Sequence, residues 1–294
     1  MVIDTHTHAW APPSHERPWV NEPLCRSLKN LTVPLIYEGT ILLEDMDETG
    51  IEEAVVVGYP ITDWRDNSYL CDLVRNHDRL YGIATLDPFA DNASRHLQRI
   101  MAIPRMLGFR LATACPYEEM WERYDPTVRW LLDALEEREY WQAALETSAI
   151  VQLAFPHQQI DQIVKLINTY PEMTFLVDHF AHATPNTDTE NGTFAEFMQL
   201  ASQRNVYVKL SGIAHCSEAS YPFTDMHHIV RSLVKSFGRE RIIWGSDFPN
   251  VSDVTSYKRS LTWLENVDGI DKHDRRWIRE KSFQQLLSNV VESM

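Results

Sequence analysis

Residues 149–178 decide the fold. They run Ala149-Ile150-Val151-Gln152-Leu153-Ala154, then Pro156 and a stretch over 157–169, then Met173-Thr174-Phe175-Leu176-Val177-Asp178. The two outer runs are short and nearly continuous in apolar residues, which suits strands buried on both faces. The middle stretch places Ile160, Ile163, Val164 and Ile167 at helical spacing. A strand, a helix and a second apolar strand make a parallel βαβ unit.

The same unit recurs in both directions along the chain. Further strands are expected over 2–6, 53–59, 80–86, 107–111, 206–210 and 241–245. Helices are expected over 40–49, 66–77, 91–102, 127–139, 193–203, 225–237 and 273–289, the first of them stopped by Gly50. Eight such units predict an α/β fold, a closed (β/α)8 TIM barrel forming one domain over 1–294. An open doubly wound sheet is the runner-up, weakened because no glycine-rich turn follows the first strand. The stretch 9–39, with Trp10 and Trp19, is a long excursion after strand one that is expected to cover the barrel mouth.

Composition bounds the function. Of the 294 residues, 27 are Lys or Arg and 42 are Asp or Glu, a net charge of −15. Such a chain repels polyanions, so nucleic acid is not an expected partner. No apolar run reaches the length of a membrane span, and Met1-Val2-Ile3-Asp4 does not open a signal peptide. Nine Trp, 11 Tyr and 11 Phe exclude global disorder. Cys25, Cys71, Cys115 and Cys216 are too widely spaced for a C-x-x-C pair, which suits thiols in a reducing compartment. The expectation is a cytoplasmic protein with a small-molecule partner and no membrane partner; a homo-oligomer is compatible with it.

In such a barrel, chemistry collects at the C-terminal ends of the strands. Those ends carry His6-Thr7-His8, Arg110, Gln152, Asp178-His179 with His182 beyond, Lys209 with Ser211, and Ser246-Asp247. His6 and His8 lie two apart on a strand and so share a face. Alone, a His-x-His pair is more often two satisfied core histidines. With His179 and Asp247 at two further strand ends, the four converge as a His3Asp cluster able to hold one divalent cation and leave a position open.

These pieces together resemble the amidohydrolase-related family of metal-dependent hydrolases. The likeness rests on His6-Thr7-His8 after an Ile-Asp strand, Gly108-Phe109-Arg110-Leu111, Asp178-His179, and Trp244-Gly245-Ser246-Asp247-Phe248-Pro249, and spans residues 3 to about 250. It is strongest for the branch containing 2-pyrone-4,6-dicarboxylate lactonase and the sugar-acid lactonases. The resemblance implies a barrel enzyme that opens a small lactone, ester or amide. It implies His6, His8, His179 and Asp247 as catalytic residues and metal ligands, holding one divalent ion (zinc, or else manganese) or none. Gln152 stands where two-metal relatives carry a modified lysine, so a second metal is not expected. Asp178-His179-Phe180-Ala181-His182-Ala183 departs from the branch's Asp-His-x-Gly-Lys/Arg-Pro, and Ser282-Phe283-Gln284-Gln285-Leu286 from its C-terminal Asn-Ala-x-x-Leu.

Asp247 is the expected general base, taking a proton from the attacking water and passing it to the leaving oxygen. Arg110 is either a carboxylate anchor or the ion-pair partner of Asp178. Lys209 either orients Asp247 or the substrate or forms a structural ion pair. Gln152 is a site-lining amide or a core one, His182 a substrate contact or a solvated loop residue, and Trp10 a pocket wall or loop packing. His157 and His215 read as loop histidines. Two other functions remain open: a nonoxidative zinc-dependent decarboxylase of an unsaturated or aromatic carboxylate, and a non-catalytic barrel used for binding.

Overall fold

The computed structural model describes residues 1–21, 23–25 and 35–292. Eight parallel strands stand in chain order: β1 (Ile3–Thr7), β2 (Glu53–Val57), β3 (Leu80–Thr85), β4 (Met106–Ala112), β5 (Ile150–Ala154), β6 (Phe175–Val177), β7 (Val206–Leu210) and β8 (Ile242–Trp244). A parallel bridge between Thr7 and Phe248 joins the last strand's exit to the first, so the sheet curls into a (β/α)8 barrel.

Each strand is followed by an outer helix: α1 (Gly39–Thr49), α2 (Ser68–Asn76), α3 (Ala93–Met101), α4 (Arg138–Glu146), α5 (Ile160–Thr169), α6 (Gly192–Gln199), α7 (His227–Phe237) and α8 (Ser282–Glu292). Gly50 ends α1 in the left-handed conformation (φ 75°), as its position suggested. Two expectations shift. The helix expected over 127–139 is a single turn, Trp130–Ala134, and the main helix starts only at Arg138. The last helix is broken by a π turn over Trp277–Lys281.

The strand period of two stacks inward side chains into layers. At the bottom, Ile3, Val55, Ile83, Ile150, Leu176, Tyr207 and Ile243 form an apolar floor, sealed by Phe283 and Leu286 of α8. Two residues further along their strands stand Gln152, Asp178 and Lys209, all fully buried. Two further still, Ala154, Ser211 and Asp247 reach the mouth. A register irregularity between Asp4 and Thr7 brings His6 and His8 to this same interior.

The excursion after β1 is anchored where it is described. Trp10 pairs with Tyr37 in an antiparallel bridge, and its indole Nε1 donates to the Leu35 carbonyl at 3.0 Å. Residues 22 and 26–34 of the expected mouth cover lie outside the described residues. No described helix is long and apolar enough to cross a membrane.

Candidate active site

The seam between β1 and β8 builds the site. Asp4 is fully buried and accepts from the backbone N–H groups of His6 (3.0 Å) and Ser246 (2.9 Å), and from the Tyr257 hydroxyl (2.8 Å). The Asp247 N–H donates to the His6 carbonyl at 2.7 Å. These bonds hold His6 and Asp247 to one another although they stand at opposite ends of the chain.

His8 donates from Nδ1 to the Val57 carbonyl at 2.9 Å, and its Nε2 lies 3.2 Å from Asp247 Oδ1. A carbonyl can only accept, so Nδ1 carries a proton. With one proton on the ring, an Nε2 lone pair would face a carboxylate oxygen. That contact is repulsive unless a second proton or a cation lies between. His6 Nε2 stands 3.7 Å from the same oxygen, is buried, and has no hydrogen-bond partner among the described residues. The ligand atoms of His6, His8 and Asp247 lie within 4.8 Å of one another. This donor set suits a divalent cation that accepts imidazole and carboxylate.

Below it lies an ion network. Asp178 Oδ2 accepts from Arg110 Nε and from Gln152 Nε2, each at 2.9 Å. Lys209 Nζ donates to Gln152 Oε1 at 2.7 Å and stands 3.6 Å from Asp178 Oδ1. His6 Nδ1 sits 3.3 Å from Asp178 Oδ1 and 3.4 Å from Lys209 Nζ. Burial opposes ionisation of Asp178, but the hydrogen bond from His6 and the charges of Lys209 and Arg110 outweigh it and hold the carboxyl well below the usual carboxylate range. Burial also pushes the His6 imidazole well below its usual range.

The His179 ring lies beside that of His6, their centroids 4.7 Å apart. Arg110 Nη2 donates to His179 Nε2 at 3.2 Å, which leaves Nδ1 to donate to Ser211 Oγ at 3.0 Å. Its ring is therefore engaged on both nitrogens, and it groups with His6 and Asp178 rather than with His8. It stands on a strained turn: His179, Phe180, Ala181 and His182 have φ of 49°, 58°, 52° and 54°. Such left-handed residues cost on the order of 1–2 kcal/mol each, and the fully buried Phe180 and Ala181 anchor them. The turn sets the His182 ring 5.7 Å from that of His179. Burial pushes His182 down to about 3, so it is neutral. Asp247, too, has a left-handed backbone (φ 61°). Burial raises its pKa, but its surroundings of His179, His8 and His6, with the hydrogen bond to His8, outweigh that and lower it below the usual carboxylate range.

A cavity of about 340 Å³ opens above, lined by His8, Arg110, His179, His182 and Asp247. Three residues expected at the substrate stand elsewhere. Gln152 and Lys209 lie in the layer below and are sealed. Trp10 is buried behind the cavity wall, stacked on Tyr59 with ring centroids 4.2 Å apart, and Tyr59 forms the wall instead. His215 does line the cavity, its Nε2 bonded to Asp253 at 2.9 Å, whereas His157 bonds Thr193 outside it. Sequence reading missed Tyr59, Trp121, Tyr124 and Asn250 as lining residues; Tyr59, two residues beyond β2 on its inward parity, carried the one usable signal.

The chain is 25% identical over 274 residues to L-fucono-1,5-lactonase of Burkholderia ambifaria, covering 90% of this chain and 86% of that one. It is 23% identical over 248 residues to 4-sulfomuconolactone hydrolase of Hydrogenophaga intermedia, covering 84% and 74%. In fold it is similar to a probable 2-pyrone-4,6-dicarboxylic acid hydrolase of Acinetobacter baumannii solved with citric acid bound, with a TM-score of 0.75, 18% identity, and coverage of 98% and 99%. The amidohydrolase family profile matches residues 3–281, and the chain is a member of that family.

Proposed function

We propose that this protein hydrolyses a small lactone at the cavity floor, with Asp247 as the general base. The carrying observation is the Asp247 carboxyl group, which lines the open cavity while its Oδ1 faces His8 Nε2 at 3.2 Å and His6 Nε2 at 3.7 Å. The two sequence relatives named above both carry lactone-opening names, which supports the substrate class.

Asp247 takes one proton from water as the water oxygen bonds to the lactone carbonyl carbon. The ring C–O bond then breaks, and Asp247 returns that proton to the leaving oxygen. The product is a hydroxy acid, which ionises at neutral pH and releases one proton to solvent. A divalent cation bound by His6, His8 and Asp247 would supply Lewis acidity at the carbonyl oxygen. Arg110, held by Asp178, fixes His179 at the cavity wall beside the reacting carbonyl.

Proton release from a panel of lactones, followed with a pH indicator in weak buffer, tests the reading. Saturable release above the spontaneous rate is expected. Carbon dioxide evolution from small unsaturated or aromatic carboxylates, with every lactone inert, would replace it with the decarboxylase alternative. Inertness towards both sets would leave the barrel a binding protein.

A further inference from the structure

We propose that the cavity is a slot for a flat, uncharged ring beside Trp121 and Tyr124, which makes the substrate a neutral lactone fused to, or carrying, an aromatic ring. The inference rests on the lactone-hydrolase reading above and narrows it.

The cavity wall is of two kinds. His8, Arg110, His179 and Asp247 are its polar part, while Leu24, Pro60, Trp121 and Tyr124 supply large apolar and aromatic surface. Ala112, Ala114 and Ala154 also line the cavity, and side chains this short leave room for a planar group. At about 340 Å³ the cavity suits a molecule of one or two rings.

A polyhydroxylated lactone finds few free partners on these walls: among the described lining residues His182 Nε2 is buried without a partner and can serve a single polar group. Each buried hydroxyl needs a partner, and leaving one unpaired weakens binding. Among the described lining residues Asp247 is the one carboxylate and Asn250 the one amide, and they are bonded to each other at 3.3 Å. His215 is bonded to Asp253. An anionic lactone fits poorly as well. Arg110 is tied to Asp178 and His179, Lys209 is sealed below, and the chain's net charge of −15 repels anions at long range.

The aromatic wall is built for contact. Trp121 has φ of 60°, a left-handed backbone that a bulky residue adopts only where its surroundings impose it. Such strain collects at ligand clamps. Trp64 backs it, ring centroids 6.0 Å apart. Tyr124 lies nearly parallel to the His182 ring (22°) and remains 57% exposed. A large apolar side chain left open beside a cavity offers a face on which a flat ring can stack.

Dihydrocoumarin (a neutral aryl-fused lactone), D-glucono-1,5-lactone, δ-valerolactone and a carboxylate-bearing lactone are the probes. The kcat/KM for dihydrocoumarin, relative to its spontaneous hydrolysis, is expected to exceed that of each other probe by about 100-fold. Trp121→Ala is expected to raise KM for dihydrocoumarin about tenfold more than for δ-valerolactone. Chroman, which shares the fused ring but has nothing to hydrolyse, is expected to bind the wild-type chain in ligand-observed NMR and to be weakened in Trp121→Ala. A preference for the polyol or the anionic lactone overturns the slot and leaves the hydrolase reading standing, as does lactone turnover without chroman binding. Chroman binding weakened by Trp121→Ala, with every lactone inert, keeps the ring slot and removes the hydrolase reading.

Discussion

Gly212 lies against His179: a Cβ at residue 212 would stand 2.9 Å from His179 Nδ1 and 3.1 Å from Asp247 Oδ2. Gly212 also has φ of 65°, where a side chain is strained. Gly212→Ala is expected to cost roughly 1–2 kcal/mol of stability. It is also expected to lower kcat/KM by about 100-fold, because displacement of reacting groups by an ångström costs that much. Urea unfolding and lactone turnover measure the two effects separately; unchanged turnover would show that the packing of 212 against 179 and 247 does not matter to the chemistry.

Asp247→Asn removes the proton acceptor while keeping the size of the side chain. Turnover is expected to fall by about 10²–10⁴-fold, with the circular dichroism spectrum unchanged. Retention of most activity would remove Asp247 from its role.

Zinc or manganese is expected to raise the melting temperature of metal-stripped protein, and His8→Ala to abolish the rise. At a free ion concentration about 100 times the dissociation constant, the gain is about 2.7 kcal/mol. Calorimetry together with elemental analysis checks it; no shift and no bound ion would mean that His6, His8 and Asp247 do not bind metal.

Asp178→Ala leaves Arg110 and Lys209 without their shared carboxylate in a buried layer. Breaking a buried ion pair from one side costs about 3–5 kcal/mol, so a large fall in the urea midpoint is expected. A loss below about 1 kcal/mol, as at an exposed pair, would contradict the network.

Lys209 gives stability a pH slope. Burial pushes its ammonium down to about 8, against the pull of Asp178. In the unfolded chain it titrates near about 10.4. Between those values the unfolded state holds more protons, so stability rises with pH across that window, by about 3 kcal/mol in all. Denaturation at pH 8, 9 and 10 should show this rise in the wild type and lose it in Lys209→Met.

The strands were legible because each is an apolar run buried on both faces. The helix at 127–139 misled because Trp130, Leu131 and Ala134 continue into Tyr140, Trp141 and Ala144 on one apolar pattern. Where the backbone turns at Glu136-Glu137 is not written in that pattern. Of the four residues read as one cluster, His6, His8 and Asp247 have ligand atoms within 4.8 Å of one another, and His179 groups with His6 and Asp178. Strand alternation says which way a side chain points but not how deep it lies, so Gln152 and Lys209 read as mouth residues although they stand one layer down. Between pocket wall and loop packing the sequence does not choose for Trp10, because its contact with Tyr59 spans two elements whose spacing in sequence carries no distance.

The seam between β1 and β8 has a consequence for how activity arises as the chain folds. His8 and Asp247 are 239 residues apart and meet only where the first strand closes on the last. A nascent chain cannot possess the site until β8 has left the ribosome, however much of the barrel has already formed. Enzymatic turnover is therefore a direct reporter of ring closure, and on refolding it should return later than the fluorescence of tryptophans packed within the early βα units.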